Sequence, residues 1–140
     1  MRYSSQFLTA AGLALGACGG DGTPFSPTVE TVAGNYHATT LTAAQATGTI
    51  NLLLNGGALT LSLQEDGTTT GHLFVPGAGE TGEDIDLDLT GTWTLTGNTV
   101  TFAQPNADTF IRDMPFTAEP NRLRGEETFN DVTVRVVLTK

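Results

Sequence analysis

Asp84-Ile85-Asp86-Leu87-Asp88-Leu89-Thr90-Gly91-Thr92-Trp93-Thr94-Leu95-Thr96-Gly97-Asn98-Thr99-Val100-Thr101-Phe102 is the stretch whose alternation decides the fold. Ile85, Leu87, Leu89, Trp93 and Leu95 share one face, while Asp84, Asp86, Asp88, Thr90, Thr92 and Thr94 share the other. A period of two belongs to a strand with one buried side. Gly97-Asn98 fits a two-residue turn with glycine first. That turn sets Trp93 opposite Phe102 and Leu95 opposite Val100. Both pairs are apolar on both sides, so register and burial agree.

The same pattern extends outward in both directions. Gly34 to Leu41 reads as a first strand with Tyr36 and Ala38 on one face. Leu59, Leu61 and Leu63 alternate with Thr60 and Ser62, Glu65-Asp66-Gly67 turns, and Thr68 to Val75 returns. Pro76 to Glu83 is a loop. Downstream, a hairpin runs from Thr109 to Thr117 and back from Arg122 to Phe129, with Glu119-Pro120 in a four-residue turn. Its register predicts Phe110 opposite Phe129, Arg112 opposite Glu127, Met114 opposite Gly125 and Phe116 opposite Leu123. Asn130-Asp131 turns the chain into Val132, Val134, Val136 and Leu138. The clustered Ile50, Leu52, Leu53 and Leu54 before Gly56-Gly57 predict a short helix over 46–57 with a glycine stop, the alternative being a buried extended segment. About eight strands in hairpin succession predict an all-β, antiparallel up-and-down barrel over 32–140 with one short helix. An open two-sheet sandwich with the same strand order is the runner-up.

Composition narrows the partners. The chain has 140 residues, 6 basic against 15 acidic, and a net charge of −9. Nucleic-acid binding relies on cationic contacts, so this balance argues against nucleic acid. Anionic headgroups would repel the chain too. A single cysteine, Cys18, leaves nothing to form an intrachain disulfide.

The N-terminus reads as a targeting segment. Arg2 supplies a positive charge, and Phe7 to Leu15 is an apolar run too short to span a bilayer, which takes about 20 residues. Leu15-Gly16-Ala17-Cys18 resembles a bacterial lipobox. The resemblance implies that 1–17 is a lipoprotein signal peptide, cleaved before Cys18, and that Cys18 is acylated on its thiol and new amine. An ordinary secretory signal followed by an incidental cysteine is the alternative. Gly19 rather than Asp follows the cysteine, which in Gram-negative lipoproteins with a similar signal implies outer-membrane sorting. Residues 18–31, rich in Gly, Pro, Ser and Thr, read as a flexible tether. Two or more acyl chains anchor stably where one binds marginally, so the membrane partner is reached through lipid.

Gly34-Asn35-Tyr36 is similar to the glycine-x-aromatic opening of the first lipocalin strand. The Gly91 to Phe102 hairpin resembles the mid-barrel hairpin of lipocalin-like domains in bacterial lipoproteins. The resemblance implies a barrel that holds a small hydrophobic ligand. In this chain the first-strand aromatic is Tyr. The arginine that closes the lipocalin base has no inward counterpart, since Arg135 lies on the face opposite Val134 and Val136.

Four residues are candidates for ligand contact: Arg112, Glu127, Tyr36 and Trp93. Strand parity groups Arg112 with Phe110, Met114 and Phe116, so a guanidinium inside the barrel needs acceptors. Glu127 would supply a structural ion pair, or Arg112 would bind a ligand's carboxylate or carbonyl in bidentate fashion. Tyr36 and Trp93 suit the core better than a cofactor site. Asp84, Asp86 and Asp88 do not make an EF-hand, whose sixth and twelfth positions here hold Leu89 and Leu95; they read as the solvated face of a strand. His37 and His72 fall short of a zinc signature, and no Ser/His/Asp order or nucleophile elbow is present. The expectation is a monomeric, non-catalytic envelope lipoprotein without cofactor. Either it binds a small hydrophobic ligand inside the barrel, with 46–57 as a partial lid, or it is a solid-cored structural or protein-interaction module.

Overall fold

A computed structural model describes residues 25–105 and 110–140. Ile85–Asp88 (β5) and Gly91–Thr96 (β6) both pair antiparallel with Thr68–Val75 (β4), and in one register: His72 faces Asp88 and Thr69 faces Gly91. The Leu89 N–H keeps that register by donating to the Gly71 carbonyl at 2.9 Å. The alternating run therefore behaves as one stave with a short interruption.

Seven further strands complete the ring: β1 (Gly34–Gln45), β3 (Ala58–Leu63), β7 (Thr99–Ala103), β8 (Phe116–Glu119), β9 (Arg122–Phe129) and β10 (Val132–Thr139), together with β4. Pairing of β1 with β10, from His37 opposite Thr139 to Ala44 opposite Thr133, closes an eight-stave antiparallel barrel. Closure satisfies the backbone groups that a sandwich would leave on its edges. A bulge between Ala38 and Thr40 shifts the parity of β1, so Tyr36 and Leu41 both point inward.

The turns carry their expected chemistry. Gly97 adopts a φ of 61°, which a two-residue turn with glycine first requires, and Trp93–Phe102 and Leu95–Val100 pair as the alternation predicts. Asn130 and Asp131 both take positive φ, giving the turn between β9 and β10. Thr28 caps a helical turn, α1 (Val29–Val32), with a reciprocal bond to Thr31. Val32 is buried and Phe25 packs against the core, so part of the segment expected to be tether belongs to the folded domain.

Two expectations are corrected. The predicted helix over 46–57 is instead a strand, β2 (Gly48–Asn51), hairpinned onto β1 and followed by turns; Ile50 and Leu54 stay exposed, so the segment is not buried either. A cluster of leucines misled here because the hairpin with β1 supplies backbone partners that outweigh helix propensity. The other correction is the second hairpin. Pro120-Asn121, with Asn121 at φ 58°, closes a two-residue turn in place of the four-residue one. The pairing shifts by two, setting Phe116 opposite Gly125 and Ala118 opposite Leu123. Inward faces survive the shift; partners do not. Upstream of it Phe110–Asp113 is a helical turn, α2, which Pro115 follows. Thr109 lies outside the described residues.

The inward side chains form one continuous cluster. Trp93, Phe102 and Phe116 fill its middle, with Phe102 and Phe116 edge to face at 5.5 Å between centroids. α1 brings Val32 to the end where the chain enters the barrel, called the near end. α2 brings Ile111 to the far end, beside Met114, and both are buried. An eight-strand interior is just wide enough for side chains to fill or for one small ligand; here side chains occupy it.

Candidate functional site

The four candidate ligand contacts do not converge. Tyr36 is 3% exposed near the entry end, and its hydroxyl donates to the Val32 carbonyl at 2.5 Å. Burial pushes its phenol up to about 12. The Trp93 indole donates to the Gln64 carbonyl at 2.8 Å, tying the β3–β4 turn to the core. Both aromatics are structural: each spends its polar atom on a backbone acceptor.

Arg112 stands on α2 at the far end, not inside the barrel wall. Its Nε and Nη2 grip the two carboxylate oxygens of the adjacent Asp113 at 2.8 and 3.0 Å. That hydrogen bonding, with the guanidinium charge behind it, holds the Asp113 carboxyl below the usual carboxylate range. The expected Arg112–Glu127 pair is corrected. β9 places Glu127 opposite Val134, and the Glu127 carboxylate accepts from the Thr128 N–H at 3.3 Å. The reason is local: α2 withdraws Arg112 from the sheet, and the tighter turn moves β9 by two residues. Cys18, the predicted lipidation site, lies outside the described residues.

Two residues missed by sequence reasoning shape the ends. Lys140, the only lysine, extends beyond β10 and donates to the carbonyls of Thr31 (2.6 Å) and Ala33 (3.0 Å). Its ammonium also stands 5.8 Å from the Tyr36 ring centroid. A Cβ at Gly34 would meet the Lys140 side chain at 2.6 Å, which gives the glycine of Gly34-Asn35-Tyr36 a physical role. The closing cation is thus Lys140 rather than Arg135, whose guanidinium pairs with Glu126 on the outer wall. At the far end Gln104 is fully buried, and among the described residues neither its amide nitrogen nor its oxygen has a partner. Strand parity with Val100 and Phe102 points to its inward position; no residue spacing reveals that the amide is orphaned.

Concave surface is found outside the packed interior. Phe102, Gln104, Arg112 and Asp113 line a cleft of about 630 Å3 at the far rim, with Gly91 and Thr92 across it. Another, of about 420 Å3, lies over Asn35, His37, Thr60, Ser62 and Thr70 on the outer wall.

Charge is divided unevenly between the ends. Towards the far end lie Glu80, Glu83 and Asp84 on the loop and Asp86 and Asp88 on β5. Asp113, Glu127 and Asp131 add to them, and among the described residues the cations on this half are Arg112 and Arg135, the latter paired with Glu126 on the rung beside Glu127. Towards the near end, Arg122 and Arg124 pair with Glu119. His72 projects outward between Asp86 (Nε2, 2.8 Å) and Asp88 (Nδ1, 3.1 Å). Among the described residues no group of three or more His, Cys, Asp or Glu side chains is arranged to hold a metal ion. No protein-family model, curated protein or solved structure matches the chain.

Proposed function

We propose that this protein is a lipid-anchored, non-catalytic module of the bacterial cell envelope, sorted to the outer membrane, whose solid barrel acts through its outer surface and loops. The observation that carries the reading is the filled interior: side chains from all staves, with α1 and α2 at the two ends, form one buried cluster in which Phe102 and Phe116 meet edge to face. The resemblance of Leu15–Cys18 to a lipobox supports attachment through Cys18. The chain enters the barrel through α1 at the near end, so an anchor on that side would present the acidic far end away from the membrane. Acting through its surface, the domain would work as a monomer that needs neither cofactor nor interior ligand.

Two measurements test this. A Cys18→Ala protein is expected in the soluble fraction, whereas the parent sediments with membranes; a variant that still partitions with membranes contradicts anchoring at Cys18. Native protein is expected to leave the fluorescence of Nile red unchanged. Saturable enhancement by the folded state would instead favour a small apolar ligand within the barrel.

A further inference from the structure

β2 is a strand outside the closed ring, paired on one side only, with β1. Its register with β1 sets Ala43 opposite Ile50 and Gln45 opposite Gly48. The Leu52 N–H donates to the Leu41 carbonyl at 2.9 Å, and bonded pairs alternate with non-bonded ones along an antiparallel ladder. Stepping back in twos makes Gly48 and Ile50 the residues bonded to β1. The N–H and C=O groups of Thr49 and Asn51 therefore face away from β1. β2 ends the strand order, and all four of its residues are exposed. An unpaired edge of this kind is a template for another strand. Natural edges are commonly blunted with charge, yet no Asp, Glu, Lys or Arg occurs between Glu30 and Glu65.

The surroundings define what can dock. Beside the edge, Ile50 is 47% exposed and Leu54 is 84% exposed. The turn after β2 abuts the acidic loop: a Cβ at Gly56 would lie 3.4 Å from the Pro76 ring. That loop carries Glu80, Glu83 and Asp84, and Asp86 and Asp88 continue the row on β5. A neutral backbone edge thus sits beside a strongly acidic rim. A second copy would bring two such rims together, and like charges oppose that approach.

We infer that the Gly48–Asn51 edge is a docking site for an extended, cationic peptide segment of another protein. The segment adds as a strand through the backbone groups of Thr49 and Asn51, and its basic side chains meet the acidic loop and β5. Backbone pairing supplies the geometry and alternate side chains the selectivity, as in other strand-addition complexes. The inference rests on the reading of the domain as a solid interaction module and names the chemistry of its partner.

The probe is a synthetic octapeptide of alternating Lys and Val, titrated into the full-length protein in detergent and followed through backbone amide NMR shifts. The expected result is saturable binding with the Thr49 and Asn51 amides shifting most. Binding should weaken roughly tenfold or more when salt is raised so that the Debye length falls below ~10 Å. Thr49→Pro removes an outward N–H and leaves the bonds to β1 in place, so it should weaken binding by a similar factor. An octapeptide N-methylated at alternate residues, offered to the unaltered protein, should fail to bind and serves if Thr49→Pro does not fold. Equal binding of both peptides would overturn the inference by showing a polycation held on acidic surface alone. Absence of binding, or self-association of the protein through this edge, would overturn it as well. None of these outcomes touches the solid-barrel reading, which fails only if a ligand is found inside.

Discussion

Replacing Tyr36 by phenylalanine removes one hydroxyl from the closed end of the barrel and isolates one titration. The hydroxyl is buried and donates to the Val32 carbonyl at 2.5 Å. Its loss leaves that acceptor without its partner, at a cost of about 1–3 kcal/mol at neutral pH. The phenol is raised from 10.0 to about 12. A raised acid favours the protonated folded state, so its contribution is fully present below the unfolded value of 10.0 and declines as pH rises through about 12. Two units at 1.36 kcal/mol each correspond to about 3 kcal/mol lost across that window. Urea unfolding of parent and Tyr36→Phe protein, both in a Tyr3→Phe background, measures it, because these are the only two tyrosines. The gap between the two proteins should be constant below pH 10 and narrow or reverse above it. Tyrosinate absorbance reports the same phenol directly. A phenol that ionises near 10.0 in the folded state, or a variant as stable as the parent at pH 8, would refute the placement of Tyr36.

Three other substitutions probe the ends and the centre. Gln104→Leu exchanges an orphaned buried amide for an apolar group of similar size, and thermal melting should show a gain of about 1–3 kcal/mol. A loss would mean that the amide has a partner in the folded protein. Lys140→Met removes the donor to Thr31 and Ala33, so limited proteolysis should cut earlier around α1 and stability should fall by about 0.5–1.5 kcal/mol. Gly125→Ala would place a Cβ 2.6 Å from Met114 Sδ and 2.9 Å from the buried Phe116 ring, with an expected cost of about 1–3 kcal/mol in urea unfolding. Unchanged stability there would argue against the pairing of Phe116 with Gly125.

Local chemistry in the sequence was enough to predict the barrel. Alternation at 84–96 fixed faces, and Gly97-Asn98 fixed register, because a two-residue turn permits one pairing. The hairpin after it was less legible. A turn through Pro120-Asn121 and one through four residues satisfy the same alternation, since a shift by two preserves every face. Only the left-handed backbone of Asn121 distinguishes them. The sequence around Arg112 also satisfied strand parity, yet Phe110–Asp113 folds as a helical turn that carries Ile111 into the far end. Leucines at 52–54 suggested a helix by clustering, whereas the backbone of β1 recruited the preceding residues as a strand. Nothing local marked Lys140, whose partners lie more than a hundred residues away in the chain. The candidate contacts lie apart for the same reason: parity put Arg112 inside and the hairpin register put Glu127 opposite it, and neither says anything about height along a barrel relative to Tyr36 and Trp93.

The account stands or falls on whether the barrel interior is occupied by the protein's own side chains. Native mass spectrometry of the protein extracted from its own membrane under gentle conditions measures this most directly. The mass of the chain with its covalent acyl groups, and nothing further bound, is the result predicted. A stoichiometric, non-covalent addition of a few hundred daltons that is released on unfolding would contradict it.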